Sequence, residues 1–563
     1  MAVFDKISKN ENIMDDSLSL YCTFDNYRLV DGHTEYIIKV HRGYDKNKCW
    51  TIFKRYKEFV ALDKELQASS FNIQLPPKKY IGNLNRQFVL QRQNQLQNYM
   101  NKVLDNLVLA SSVYIKKFLD PENYNNAFQD TAFQYASMAL RGKPDFHNLK
   151  ILQNIGWRFN KHYCMVKKLN DYEREYVLTW ISEYGAYKCL TDKELQSAFK
   201  VLLELKHQYI MPIVTGNCYS SGTLMIRVSC TKGSLRDLIY NKSSFESFIQ
   251  KYRYRNERLL LPSNAVCTIA VQVLQALAFL HQKGIPYGNL HSGNIFIEDN
   301  VAKISDIENG IFGLTSFYKP YFIENRKIRT LEDVDVYCFG HVLYEMAFGE
   351  RLQCYYCDIV PSDCYDNFRP ILELILSSSP KKKLPTIYTI LSSDTFSMCS
   401  SNIIFDTSPH CKVSSHSKEL FKRSQIYIEE KIHNEQNELR KFRKIAQLQE
   451  LLEMEEKQDG VIIPKEKRKM KKASSQTSLG TSYSEPFENI SNASTPTSVS
   501  TDSSSRISGC DKSNKNLLES NIVDDTFTSS NIASSASLND NNRNAFLQSV
   551  INFDKRNLRK IKA

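Results

Sequence analysis

One stretch, Ile285 to Gly310 (IPYGNLHSGNIFIEDNVAKISDIENG), constrains the fold more than any other. A loop leads to Asn294, and an apolar strand-like run follows at Ile295, Phe296 and Ile297. The chain turns at Glu298 to Asn300, returns as a second strand through Val301 to Ile304, and reaches Asp306. A short hairpin bracketed by an amide and a carboxylate must sit inside a larger domain, because a lone hairpin is marginal in water.

The chain around it is long enough for two or three domains. Its 563 residues are unevenly apolar: roughly the first four hundred are rich in Tyr, Phe, Leu and Ile, and most of about the last ninety are Ser, Asn, Thr and Asp. The N-terminus, MAVFDKISKNENIMDD, has no apolar core for a signal peptide, and no unbroken run of about eighteen apolar residues occurs, so a cytoplasmic protein is expected. The 14 cysteines follow no framework, which suits reduced thiols. Cys354, Cys357 and Cys364 lack a well-placed fourth ligand, so no metal is expected there. A net charge of +12 points to an anionic partner. Nucleic acid is not expected, since no stacking platform or groove-reading motif accompanies the charge.

Residues 1–16 are expected to be disordered. From 17 to 124, strands at Leu20 to Val30, Glu35 to His41 and Cys49 to Lys54 precede a helix with Phe59, Val60, Leu62 and Leu66 at helical spacing. The proline turn LPPKKYIGNL and two helices, Arg86 to Leu107 and Ser112 to Leu119, complete the segment. This order resembles a PX domain. The resemblance implies that Arg55 and Tyr56 hold the 3-phosphate and ring of a phosphoinositide, that Lys78 (with Lys79 beside it) meets the 1-phosphate, and that Arg92 grips the ring hydroxyls. An arginine fork matches phosphate oxygens bidentately, an aromatic plane packs the apolar face of the ring, and a lysine adds a point charge. Phosphatidylinositol 3-phosphate is the favoured lipid by resemblance, with a bis- or trisphosphate left open by the spare lysines.

Residues 125–145 read as a linker helix, and 146–406 run from strands into a helix-rich half. Here the Ile285–Gly310 stretch resembles the catalytic and metal-binding loops of a protein kinase, HRDLxxxN followed by DFG. Tyr287, Gly288 and Asn289 stand where His, Arg and Asp belong, and Ile307 and Glu308 replace Phe and Gly. Asn has no basic lone pair near neutral pH, so the substrate proton has no acceptor at Asn289. The glycine-rich loop is NIGWRFNKHYCMVK with Gly156 alone, Trp180 falls at the strand lysine, and Ala198 falls at the ion-pairing glutamate of the following helix. Lys167, Lys168 and Glu194 stay open as displaced substitutes. Asn294 and Asp306 survive, leaving weak binding of magnesium and ATP open, although no cofactor is expected. Asp335, in DVYCFGHVLYEM, is implied to accept hydrogen bonds from the catalytic-loop backbone.

Residues 416–458 have no Pro or Gly and read as a long charged helix docked on the helical lobe. Residues 459–542 read as a disordered basic and Ser-rich linker. The end, 543–563, resembles a WH2 actin-binding motif: Leu547, Val550 and Ile551 share a helix face, and Leu558, Arg559 and Lys560 form the following strand.

The whole is therefore expected to be a multidomain α+β chain, with a PX domain (a small antiparallel sheet with helices), a bilobal protein-kinase-like domain, a long helix and a disordered tail. It is identified as resembling the PX-domain-containing serine/threonine kinase-like family. That resemblance implies an adaptor, peripheral on endosomal or plasma membrane, acting in receptor trafficking and binding the Na,K-ATPase. A membrane-recruited, active atypical kinase is the competing expectation.

Overall fold

The computed structural model describes residues 14–459 apart from 47, 80–83, 125, 153–154, 254–259, 363–364, 380–382 and 401–412. Strands β1 (Leu20–Val30), β2 (His33–Arg42) and β3 (Cys49–Arg55) form a three-stranded antiparallel sheet in chain order. Asp31 and Gly32 both have positive φ, 47° and 74°, the geometry of a two-residue hairpin turn that matches strand twist. Along β2, Tyr36, Ile38 and Val40 are buried and Lys39 is exposed, so the period-two pattern gives the sheet one covered face. Helices α1 (Tyr56–Leu66), α2 (Arg86–Asp105), α3 (Leu107–Ser111) and α4 (Val113–Leu119) supply the cover. Leu96, Met100 and Val103 of α2 face the sheet, and Gln97 pins the helix by accepting from Phe24 N at 2.8 Å and donating to the Cys22 carbonyl at 3.0 Å. Val60 departs from the expected apolar stripe: it is exposed, while Phe59, Leu62 and Leu66 are buried.

The expectation of disorder through residue 16 is corrected at its last residues. Asp15 takes Lys319 Nζ at 2.5 Å, and Asp16 takes Lys116 Nζ at 2.6 Å and the Tyr124 hydroxyl at 2.7 Å. Both lysines are almost fully buried, and an ammonium in such surroundings needs a carboxylate.

Helix α5 (Asn126–Arg141) is more than a linker. Its Ala132, Phe133, Ala136 and Leu140 cover one face of a second sheet, β4 (Phe146–Leu152), β5 (Lys161–Lys168), β6 (Asp171–Ile181), β7 (Thr215–Tyr219) and β8 (Gly222–Val228). The strand order is β4-β5-β6-β8-β7, every pair antiparallel, and α6 (Asp192–Glu204) is inserted between β6 and β7.

The helical half contains α7 (Leu235–Ile239), α8 (Ser263–Lys283), the hairpin β9 (Ile295–Glu298) and β10 (Val301–Ile304), α9 (Lys319–Phe322), α10 (Leu331–Phe348), α11 (Arg369–Leu376), α12 (Ile387–Leu391) and α13 (Asp394–Ser400). On length and composition α8 could cross a membrane, but most of it is buried among its neighbours, as a core helix is. It stops at Gly284, whose φ of 69° is a left-handed cap.

Helix α14 (Ser415–Asp459) lies along this half. Leu420, Ile428, Ile432 and Leu439 are buried, whereas Ile426 and Ile445 are exposed. Its polar side chains also engage the lobe: Gln436 donates to the Asn325 and Ile328 carbonyls at 3.2 and 3.0 Å, and Glu435 takes Lys319 at 2.8 Å. The tail, with Leu547, Val550, Ile551, Leu558, Arg559 and Lys560, lies outside the described residues.

Candidate functional site

The first site lies at the edge of the N-terminal sheet. Tyr56 opens α1 directly after β3, and its hydroxyl donates to the Pro76 carbonyl, tying the proline loop to the helix start. One residue further along that loop, the Pro77 carbonyl accepts from Arg92 Nη2 at 2.8 Å. The Arg92 guanidinium stacks 4.2 Å from the Tyr56 ring and 4.3 Å from the Phe88 ring, and Lys79 Nζ sits 4.1 Å from Phe88. Arg92 Nε is buried without a hydrogen-bond partner, which leaves an unused donor facing into the protein. Lys78 is exposed on the same loop.

Arg55 precedes Tyr56 in the chain and gives Nε to Glu35 Oε1 at 3.2 Å, with its side chain 35% exposed. Glu35 also holds Arg28 at 2.8 Å, and these hydrogen bonds, Arg28 first, draw its carboxyl below the usual carboxylate range. Phe88, Glu35 and Arg28 were not singled out from the sequence. Phe88 sits in register with Arg92 one helical turn earlier, a spacing that could have marked it.

The second site lies between the five-stranded sheet and the β9–β10 hairpin. Lys161, at the start of β5, places Nζ 2.8 Å from Asp306 Oδ1 and 3.4 Å from Glu308 Oε1, and is 1% exposed. Arg227 of β8 reaches Glu308 Oε2 at 2.7 Å, and Glu308 itself has no exposed surface. Burial would raise the Asp306 pKa, but Lys161 and Arg227 outweigh it and bring it down to about 2. Asp306 has φ +62°, uncommon for a residue with a side chain and concentrated at functional sites. From the loop after β4, Arg158 packs on Trp157, 4.3 Å from its ring, and Nη2 donates to Asn289 Oδ1 at 3.1 Å and to the Thr315 carbonyl.

Asn294 is used to shape its own loop. Its Nδ2 donates to the Asn289 carbonyl and its Oδ1 accepts from His291 N at 2.9 Å. Gly293 N donates to His291 Nδ1 at 3.1 Å, and burial, followed by the Arg236 charge, drives the His291 pKa well below its usual value. Asp335 on α10 accepts from Gly288 N at 2.9 Å and pairs with His281 Nε2 at 2.8 Å. Gly288 has φ +64°, and a Cβ there would stand 2.4 Å from Leu331 Cδ1, so no arginine could occupy that position unchanged.

The structure separates residues that the sequence put together. Trp180 shares its face of β6 with Tyr176 and Leu178, which points toward α5; its ring stacks on Tyr135 and Tyr219 at 6.4 and 6.1 Å. It therefore faces away from Asp306. Lys167 and Lys168 lie at the opposite end of β5 from Lys161, in register with Glu175 and Asp171. Ala198 is buried in the core side of α6, and Glu194 is spent on Thr191 N at 2.9 Å and on Arg423 at 2.6 Å. The lysine facing Asp306 thus comes from β5, and its second acid, Glu308, comes from the position two residues after Asp306. A readable signal existed: Arg227 is the one charge in the apolar run GTLMIRV, and an isolated charge in such a strand needs a buried partner.

A small PX-type sheet with its helical cover, joined to a two-lobed body with the kinase strand order, defines the class. The family model described as PX domain matches residues 42–122, and that described as protein kinase domain matches 165–409, beginning just after Lys161. The mouse PX domain-containing protein kinase-like protein is 37% identical over 442 residues, covering 78% of this chain and 75% of the mouse protein. The Drosophila melanogaster Slowpoke-binding protein is 32% identical, over 36% of this chain and 40% of its own length. A Dictyostelium discoideum protein named probable inactive serine/threonine-protein kinase slob1 is 29% identical, over 40% of this chain and 44% of its own. The chain belongs to the family of PX domain-containing protein kinase-like proteins.

Proposed function

We propose that this protein is a phosphoinositide-recruited membrane adaptor whose kinase-like domain serves as a docking body and transfers no phosphate. The observation that carries the reading is the closed ion-pair cluster Lys161, Asp306, Glu308 and Arg227, with Arg158 lying on Asn289. A metal ion bridging phosphates would compete with Lys161 for the Asp306 carboxylate and share Asn294 Oδ1 with His291 N. Both contacts support a cleft that holds itself together rather than a metal–nucleotide complex. Asn289 removes the proton acceptor as well, worth about two to four orders of magnitude in rate.

At the other site, the Tyr56–Arg92–Phe88 stack, the exposed Lys78 and the part-exposed Arg55 fit a phosphorylated inositol ring, phosphatidylinositol 3-phosphate in the first instance. This supports recruitment to endosomal or plasma membrane. For the cargo, the relative named Slowpoke-binding protein supports a channel, and the family resemblance supports the Na,K-ATPase. Actin binding through Leu547, Val550, Ile551, Leu558, Arg559 and Lys560 rests on the tail sequence. Loss of pyrene-actin sequestration in Leu547→Ala and Leu558→Ala tests it.

One observation favours an active enzyme: Lys161 supplies a cleft lysine from the neighbouring strand, 2.8 Å from Asp306. A thermal-shift titration with ATP and magnesium separates the two. The adaptor reading expects no shift in the wild type, and a saturable shift lost in Lys161→Met would favour the enzyme.

A further inference from the structure

The N-terminal sheet carries a row of charge that the lipid pocket does not account for. Arg28 of β1 is in register with Glu35 of β2, and Glu35 with Arg55 of β3, so the three side chains stand abreast. Adjacent strands are about 4.8 Å apart, which sets the backbones of the two arginines roughly two such steps from each other. Glu35 bridges them: Oε2 takes Arg28 Nε at 2.9 Å and Nη2 at 2.8 Å, while Oε1 takes Arg55 Nε at 3.2 Å. One carboxylate lies between two guanidiniums, so the row keeps a surplus positive charge.

Arg28 is held in place and still open to solvent. Its guanidinium lies 3.9 Å from the Phe53 ring, and its side chain is 48% exposed against 13% for Glu35. Phe53 is in register with Ile37 of β2, two residues from Glu35, and so lies on the same face of the sheet; it is 44% exposed. His33 approaches Glu35 at 3.5 Å from the same strand. The other charges along this face, Lys39 and Asp25, are paired with each other at 3.2 Å. A cation oriented by an acid and backed by an exposed ring is the arrangement that meets an anionic, partly apolar surface.

We propose that Arg28 is a second phosphate-binding residue, continuing from Arg55 along the sheet edge and taking a further phosphate at the membrane. This rests on the reading of Arg55, Tyr56, Lys78 and Arg92 as a phosphoinositide site. Glu35 acts as a positioning residue that spaces the two guanidiniums. The second phosphate has two chemical sources, another phosphate on the same inositol ring or the headgroup of a neighbouring anionic lipid.

Vesicle sedimentation of the full chain tests it with wild type, Arg28→Gln, Arg28→Lys and Arg55→Gln. The vesicles are phosphatidylcholine carrying phosphatidylinositol 3-phosphate alone, the same with phosphatidylserine, or a 3,5-bisphosphate in its place. Arg28→Gln is expected to leave the monophosphate vesicles within twofold of wild type. It should weaken one of the other two compositions about fivefold, with Arg28→Lys recovering most of the loss. Loss on the bisphosphate vesicles assigns the phosphate to the same ring, and loss on the serine-containing vesicles assigns it to a neighbour. Equal binding of Arg28→Gln and wild type on all three overturns the proposal. A uniform loss on all three also overturns it, because Arg28 would then act only by steadying Glu35 and Arg55. If wild type and Arg55→Gln bind every composition alike, the underlying lipid reading fails, an outcome distinct from either.

Discussion

The proposed lipid site and the kinase-like cleft use the same kinds of side chain in opposite ways. Each gathers arginines and lysines around a carboxylate. At the sheet edge, Glu35 touches Arg55 and Arg28, but both cations remain one-third to one-half exposed. In the cleft, Glu308 and Asp306 hold Lys161 and Arg227 with 1% and 10% of those side chains exposed. A buried cation held by acids beside it has little affinity to spare for a phosphate, whereas a more exposed one can exchange a weak surface pairing for a stronger charge-assisted bond. The basic groups of these two sites are therefore divided by burial into those left open to an anion and those that hold the fold together.

The sharpest way to break this comparison is to remove the acid in the cleft. Glu308→Ala strands Arg227 inside the protein and leaves Lys161 with Asp306 alone, and is expected to cost about 3–5 kcal/mol in denaturant unfolding. A cost below about 1 kcal/mol would mean that the cluster is hydrated and open. Arg55→Gln makes the opposite case: unfolding stability stays within about 1 kcal/mol of wild type, while affinity for phosphatidylinositol 3-phosphate vesicles falls by more than about tenfold. Acid sensitivity gives a third contrast. Asp306 has its folded pKa lowered to about 2, so its contribution is present above the unfolded value near 4 and is lost as pH falls from there toward 2. That loss is expected to amount to about 2 kcal/mol between pH 5 and pH 2, and Asp306→Asn should flatten that part of the unfolding profile. The smallest effect concerns Trp180, whose Trp180→Phe substitution keeps an aromatic ring against Tyr135 and is expected to cost about 1–2 kcal/mol without altering nucleotide response.

Much of the architecture was legible in the residues. Alternation in β2, the Asp31–Gly32 turn, the Gly284 stop and the proline loop each dictate local geometry, and the sheet and helices follow them. Tyr56, Arg92 and Asp335 were singled out by resemblance alone; in the structure Tyr56 and Arg92 meet backbone carbonyls and Asp335 a backbone amide. The cleft was less legible because a strand's two faces alternate. Trp180 sits at the right distance along the chain for a strand lysine yet on the wrong face, a one-residue difference that spacing cannot resolve. Lys161 and Arg227 come from different strands, and nothing local announces that they meet at Glu308. The pairing of Asp15 and Asp16 with buried lysines was likewise hidden, since a short acidic pair beside a polar leader reads as solvated until its partners appear.

Transfer of labelled phosphate from γ-labelled ATP with magnesium tests whether the ion-paired cleft is catalytically silent. The full chain would be bound to phosphatidylinositol 3-phosphate vesicles and given a generic protein substrate. Incorporation is expected to be no greater in wild type than in Asp306→Ala. Clear incorporation in wild type that disappears in Asp306→Ala would contradict it.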